Sequence, residues 1–86
     1  MEMQTIDSSL IASIGYHEEE ELMLVVFRTR PAIYGYEGVS RDTYDEVLNA
    51  DSVGKTFYSL IRDHYAFHIV ESLEEEELNA FNGETA

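Results

Sequence analysis

The sequence predicts an α+β fold: a three-stranded antiparallel β-meander followed by a helical hairpin packed on one sheet face, plus an acidic C-terminal segment. Three observations carry this. The apolar run Leu22–Phe27 has the length and residue types of a buried strand, and shorter apolar stretches flank it across short polar links. After Ser40 the apolar positions change from a period of two to a helical period. Finally, 86 residues, 44% of them hydrophobic, supply one small core and one domain, residues 1–86.

The first strand is Leu10–Tyr16, with Ile11 and Ile14 as its apolar residues, and His17–Glu20 makes the turn that follows. Leu22–Phe27 is apolar on both faces, with Leu22, Leu24 and Val26 on one and Met23, Val25 and Phe27 on the other. Such a strand is covered on both sides and belongs in the middle of the sheet. Pro31 lacks the N–H a central strand needs, so Arg28–Pro31 is the next connection and Ala32–Tyr36 the third strand. Ser40 is a suitable N-cap, Asp42 favours the positive helix end, and Val39 with Tyr44 forms a hydrophobic staple. Tyr44, Val47 and Leu48 make the buried stripe of the first helix, which breaks at Asn49–Ser52. Asp51 or Ser52 caps the second, whose stripe is Phe57, Leu60, Ile61, His64 and Tyr65. Ala66–Val70 reads either as a short strand or as an irregular crossing. Leu73–Phe81 reads as a helix with Leu73, Ala80 and Phe81 on one side, and 82–86 as a frayed end. A helix pair covers one sheet face only. The other requires the C-terminal segment or a second copy of the chain, so a homodimer is one expectation.

Charge narrows the functional classes. Eighteen acidic residues against five basic give a net charge of −13 and a pI near 4.3. Eight of the acids lie in two quartets, Glu18–Glu21 and Glu74–Glu77, whereas Arg28, Arg30, Arg41, Lys55 and Arg62 all lie in the middle of the chain. Runs of like charge repel and prefer water, so both quartets are expected at the surface. An acidic balance of this size opposes general binding to nucleic acid, whose affinity rests on neutralised phosphates. No cysteine is present, which excludes disulfides, thiolate metal sites and a cysteine nucleophile. The longest wholly apolar run is too short to cross a bilayer, and the first residues lack the pattern of a secretion signal. The expected location is cytoplasmic, in a bacterial cell or a phage-infected host, with no membrane contact.

An ordered set of short motifs resembles the KTSC domain family. The set is Ser8-Ser9 with Ile11, Ile14-Gly15-Tyr16, Leu24–Phe27, Tyr34-Gly35-Tyr36, Ala50 through Lys55, and Ile61-Arg62-Asp63 with Tyr65. The resemblance spans 7–65, leaving 66–86 as an acidic C-terminal extension. Members stand alone in bacterial and phage-associated proteins or are appended to some lysyl-tRNA synthetases. That company implies an RNA-binding accessory role.

Two functions follow as expectations. The first is a non-enzymatic acidic binding module that engages a basic, nucleic-acid-handling protein. In its strongest form the module inhibits by mimicking nucleic acid, as phage anti-defence proteins do, with Glu18, Glu19, Glu20, Glu21, Glu74, Glu75, Glu76 and Glu77 as the contact surface. The alternative is RNA binding through Tyr34 and Tyr36, two apart on a strand and so about 7 Å apart on one face, with Arg28, Arg30 and Lys55 carrying the contact and Arg41 and Arg62 as further candidate cations nearby. The competing reading of the tyrosines is that they pack beneath the helices. No cofactor or metal is expected. Gly54-Lys55-Thr56 lacks the preceding glycine and strand of a phosphate loop, and His64 with His68 has no third ligand.

Overall fold

The computed structural model describes residues 3–83. Five strands form one antiparallel sheet in chain order: β1 (Met3–Thr5), β2 (Ile11–His17), β3 (Leu22–Phe27), β4 (Ala32–Glu37) and β5 (Phe67–Ser72). Between β4 and β5 lie α1 (Arg41–Leu48) and α2 (Val53–Phe57), and α2 widens into a π-helical turn at Tyr58–Arg62. A last helix, α3 (Glu75–Phe81), follows β5. The expected meander is therefore the centre of a larger sheet, β2–β4, with one strand added at each edge.

β3 occupies the middle position, as its two apolar faces require. Register places Tyr16, Met23 and Tyr36 side by side, and likewise Ile14, Val25 and Tyr34. These residues share the face under α1 and α2, where Val39, Tyr44, Val47, Phe57 and Ile61 complete the main core. Ser40 caps α1, its side chain accepting from the Thr43 N–H, and Val39 is buried beside Tyr44 as the staple predicts. Ser52 caps α2 in the same manner by accepting from the Lys55 N–H.

The second face is closed by the chain itself. Val26 and Ala12 pack with Leu73 and Leu78, and Met3, Ile33 and Phe81 edge this smaller cluster. Leu78 supplies the inward contact of α3, and Ala80, expected there, is exposed. Residues 67–81 are thus integral to the sheet and its cover. Within α3, the Glu74 side chain accepts from the third N–H of the helix and Glu77 Oε1 accepts from the Glu74 N–H at 3.1 Å. The second quartet is a capping box at the positive end of a helix as well as a charge run.

The second helix is shorter than its stripe predicts. The π turn inserts the equivalent of one residue into the helical phase. Phe57 and Ile61 remain buried, His64 is turned out to solvent, and the chain leaves the helix at Asp63.

Candidate functional site

The π turn faces β4 and β5 across a hollow of about 360 Å³. Its floor is Phe27, Tyr34 and Tyr36 from the sheet. Tyr58, Arg62 and Asp63 form one wall, Phe67 the other, and Leu10, Thr29 and Arg30 close one end. Each position has a local cause. Arg30 is held in the β3–β4 turn, where its N–H donates to the Phe27 carbonyl at 3.3 Å and its own carbonyl accepts from the Ala32 N–H at 2.8 Å. Tyr58 and Arg62, four residues apart, lie on one side of the π turn, and the Arg62 guanidinium lies 4.7 Å from the centre of the Tyr58 ring. That contact is a cation–π pair on an exposed surface.

Tyr34 and Tyr36 contribute differently from the expected stacking pair. Both are buried, at 9% and 4% exposure. Tyr34 meets the Phe27 ring edge at 5.3 Å, and Tyr36 meets Phe57 at 5.2 Å. Phe67 covers both, with ring centres 5.6 Å and 5.5 Å away. The rings belong to the core. What the pair gives the hollow is polarity. The Tyr34 hydroxyl beside it pushes the Arg30 guanidinium still higher, and Tyr36 and Tyr58 act on it in the same direction. Burial raises the Tyr36 hydroxyl above its ordinary value and Tyr34 adds to this, while Arg30 and Arg62 oppose. Arg30, Arg62, Tyr34, Tyr36 and Tyr58 thus line one hollow together with the Asp63 carboxylate. The aromatic faces open to a ligand are Phe67, 54% exposed, and Tyr58, 42% exposed.

The remaining predicted cations lie elsewhere. Arg28 is a structural clasp. Its Nε donates to the Ser8 carbonyl, Nη2 to the Ile6 carbonyl at 2.8 Å, and Nη1 to Asn82 Oδ1 at 3.2 Å. Asn82 Nδ2 returns a bond to the Arg28 carbonyl at 3.0 Å. Three of its five N–H groups are committed to this clasp and it does not line the hollow, so its place is structural, which corrects its assignment to RNA contact beside Tyr34 and Tyr36. Lys55 stands in the first turn of α2, beside a separate hollow formed with Asp7–Leu10. Arg41 is paired with Asp45 at 3.2 Å and reaches Glu18 at 3.9 Å. Tyr58 and Phe67 have no signal in the sequence, since only the packing of the π turn against β5 brings them beside Arg62.

The acidic quartets are exposed but not adjacent. Glu18–Glu21 is the β2–β3 turn, at the Leu22 end of β3. Glu74–Glu77 begins α3 beyond the Ser72–Ala32 pairing, at the opposite end of the sheet. His68, in β5, bonds Glu37 at 2.9 Å and shares no helix with His64. Among the described residues no cluster of metal-binding side chains occurs, and no helix is long and apolar enough to cross a membrane.

The architecture defines a small α+β domain: a five-stranded antiparallel sheet with a helix pair between its fourth and fifth strands. Residues 7–65 match the KTSC domain, and the chain belongs to that family. It is 32% identical over 68 residues to an uncharacterized protein of Stutzerimonas stutzeri, covering 78% of this chain and 94% of that one. A protein of Tsukamurella paurometabola is 30% identical over 63 residues, with 73% and 92% covered. The crystal structure of a KTSC domain protein from Yersinia pestis superposes with a TM-score of 0.75 at 28% identity, covering 80% of this chain and 96% of that one. The matched segment includes Arg30, Tyr34, Tyr36, Tyr58 and Arg62 and ends before Phe67 and β5.

Proposed function

We propose that this protein is a non-enzymatic binding module whose arginine–tyrosine hollow takes a nucleotide of single-stranded RNA. One observation carries the reading. In a chain with eighteen carboxylates, Arg30 and Arg62 have no carboxylate partner within salt-bridge distance among the described residues, and both border the same hollow. Cations left unpaired amid such an acid excess favour an anion from outside. Phe67 and Tyr58 offer apolar faces for a base, whose stacking is worth about 1–3 kcal/mol per base. The hollow's size, about 360 Å³, suits one nucleotide unit and not a run of them. An unpaired strand is required because bases inside a duplex are not available to stack. The surrounding charge of −13 opposes long polyanions, but screening confines that repulsion to about 8 Å at physiological salt.

The test is a titration with fluorescently labelled oligouridylate at low ionic strength. Micromolar binding, weakened by Tyr58→Ala and absent with the same strand in a duplex, supports the reading. No binding at micromolar RNA removes it.

A second reading is supported by the exposure of both glutamate quartets: an acidic module that engages a basic, nucleic-acid-handling protein. Because the quartets sit at opposite ends of the sheet, the contact uses one end at a time, and a single phosphate-like surface built from both is not proposed.

A further inference from the structure

From the unpaired side of β5 we infer that this strand docks an extended basic segment of a partner protein, which adds a sixth strand to the sheet. The inference rests on the second reading and gives it a surface; because Phe67 also walls the hollow, a docked strand and a stacked base compete for that ring. β5 ends the sheet, and its other neighbour position is empty among the described residues. The opposite edge strand, β1, has three residues, whereas β5 has six. Every residue of β5 is exposed, including Phe67 and Ile69 at 54% and Val70 at 39%. Edge strands are normally blunted by lysine, proline or extreme shortness. Phe67–Ser72 has none of these; its bulge and the single charge of Glu71 are the devices it carries.

The ladder shows which backbone groups are free. The Glu37 N–H donates to the Ala66 carbonyl at 2.8 Å, so residue 66 faces β4. Antiparallel pairing alternates, so His68 also faces β4, and Phe67 and Ile69 direct their N–H and C=O groups outward. These groups form a template for an incoming strand, with apolar side chains beside it.

Charge selects the occupant. From Asp63 to the end of the described residues there is no lysine or arginine, while Glu71 lies on the strand and Glu74–Glu77 begins just beyond it. A second copy paired here would bring its own Glu71 and Glu74–Glu77 to the same edge, with a further charge of −13. A segment alternating basic and apolar residues sets its apolar side chains along Phe67 and Ile69 and its basic ones toward the carboxylates. This is strand addition with electrostatic selection.

The probe is a capped heptapeptide of alternating lysine and valine, with an equally charged control N-methylated on alternate backbone amides. Binding is read by amide NMR shifts and hydrogen exchange, with sedimentation equilibrium on the free protein. The expected result is slowed exchange at Phe67 and Ile69 and at least about tenfold weaker binding of the N-methylated control. Ile69→Pro removes an N–H that the ladder with β4 does not use, so it should retain the fold and bind at least about tenfold more weakly. Equal binding of both peptides overturns the edge while leaving the second reading in place. Absence of binding by either overturns both. Unchanged binding by Ile69→Pro, or a wild-type dimer with Phe67 and Ile69 protected, also overturns the inference.

Discussion

Replacing Arg62 with glutamine should change how RNA binding responds to salt, by an amount fixed by the number of free cations in the hollow. Two guanidiniums, Arg30 and Arg62, have no carboxylate within salt-bridge distance among the described residues. On a single strand each phosphate contact contributes about −0.7 to the slope of log K against log salt, which gives about −1.4 for the wild type. Raising salt from about 50 to about 200 mM should then weaken binding about sevenfold. Arg62→Gln should show a slope of about −0.7 and lose only about 2.6-fold over the same range. The assay is fluorescence anisotropy with labelled oligouridylate at four or more salt concentrations. Lys55→Gln is the control, because it makes the same change in net charge at the other hollow. It should keep the wild-type slope. An unchanged slope in Arg62→Gln, or an equal reduction in Lys55→Gln, would refute the assignment of phosphate contact to this hollow.

Three other outcomes follow from the packing. Arg28→Ala should lower unfolding free energy by about 3 kcal/mol in urea titrations, because it leaves the Ser8 and Ile6 carbonyls and Asn82 without their charged donor; Arg28→Lys should recover only part. Leu78→Ala should cost about 2 kcal/mol, the low end for a buried leucine because its cluster lies at the edge of the molecule, with an unchanged RNA affinity as the internal control. Tyr36 and Tyr44 have hydroxyls raised above the ordinary 10.0, chiefly by burial. The unfolded chain therefore loses these protons first. Their contribution to stability is complete below pH 10.0 and is lost as pH rises through the folded values, so phenolate absorbance should show a late phase that coincides with unfolding.

Much of the fold was legible where a local rule had no competitor. Leu22–Phe27 was legible because a strand apolar on both faces has one stable position, the centre. Pro31 and the two serine caps fixed the boundaries around it. β1 was not legible, since Met3–Thr5 has no alternation and is a strand only because β2 offers it an edge. The phase of the second helix failed at the π turn, an insertion that periodicity cannot anticipate. β5 read ambiguously because its exposed Phe67, Ile69 and Val70 look like core residues. Gly35 explains part of the placement: a Cβ there would lie 2.8 Å from Val70 Cγ2, so the missing side chain lets β5 lie close. For the site, Arg30, Tyr34 and Tyr36 were legible as a group because they share one strand and its turn. Arg62, Tyr58 and Phe67 join them across sequence gaps that only helix–sheet packing closes. Arg28 was misread because charge alone does not distinguish a cation used to bind carbonyls from one left free.

The meander order of the sheet bears on how the chain reaches this state. Links of four residues join β2 to β3 and β3 to β4, whereas 29 residues separate β4 from β5. Closing the longer excursion costs on the order of 2 kcal/mol more entropy than closing one of the short links. The three central strands can therefore assemble early, and β5 docks late, after the helix pair has condensed on the sheet. Until then β4 presents a bare margin, and Tyr34 and Tyr36 lack the Phe67 ring above them. This order predicts that the hollow closes late in folding and opens early in unfolding.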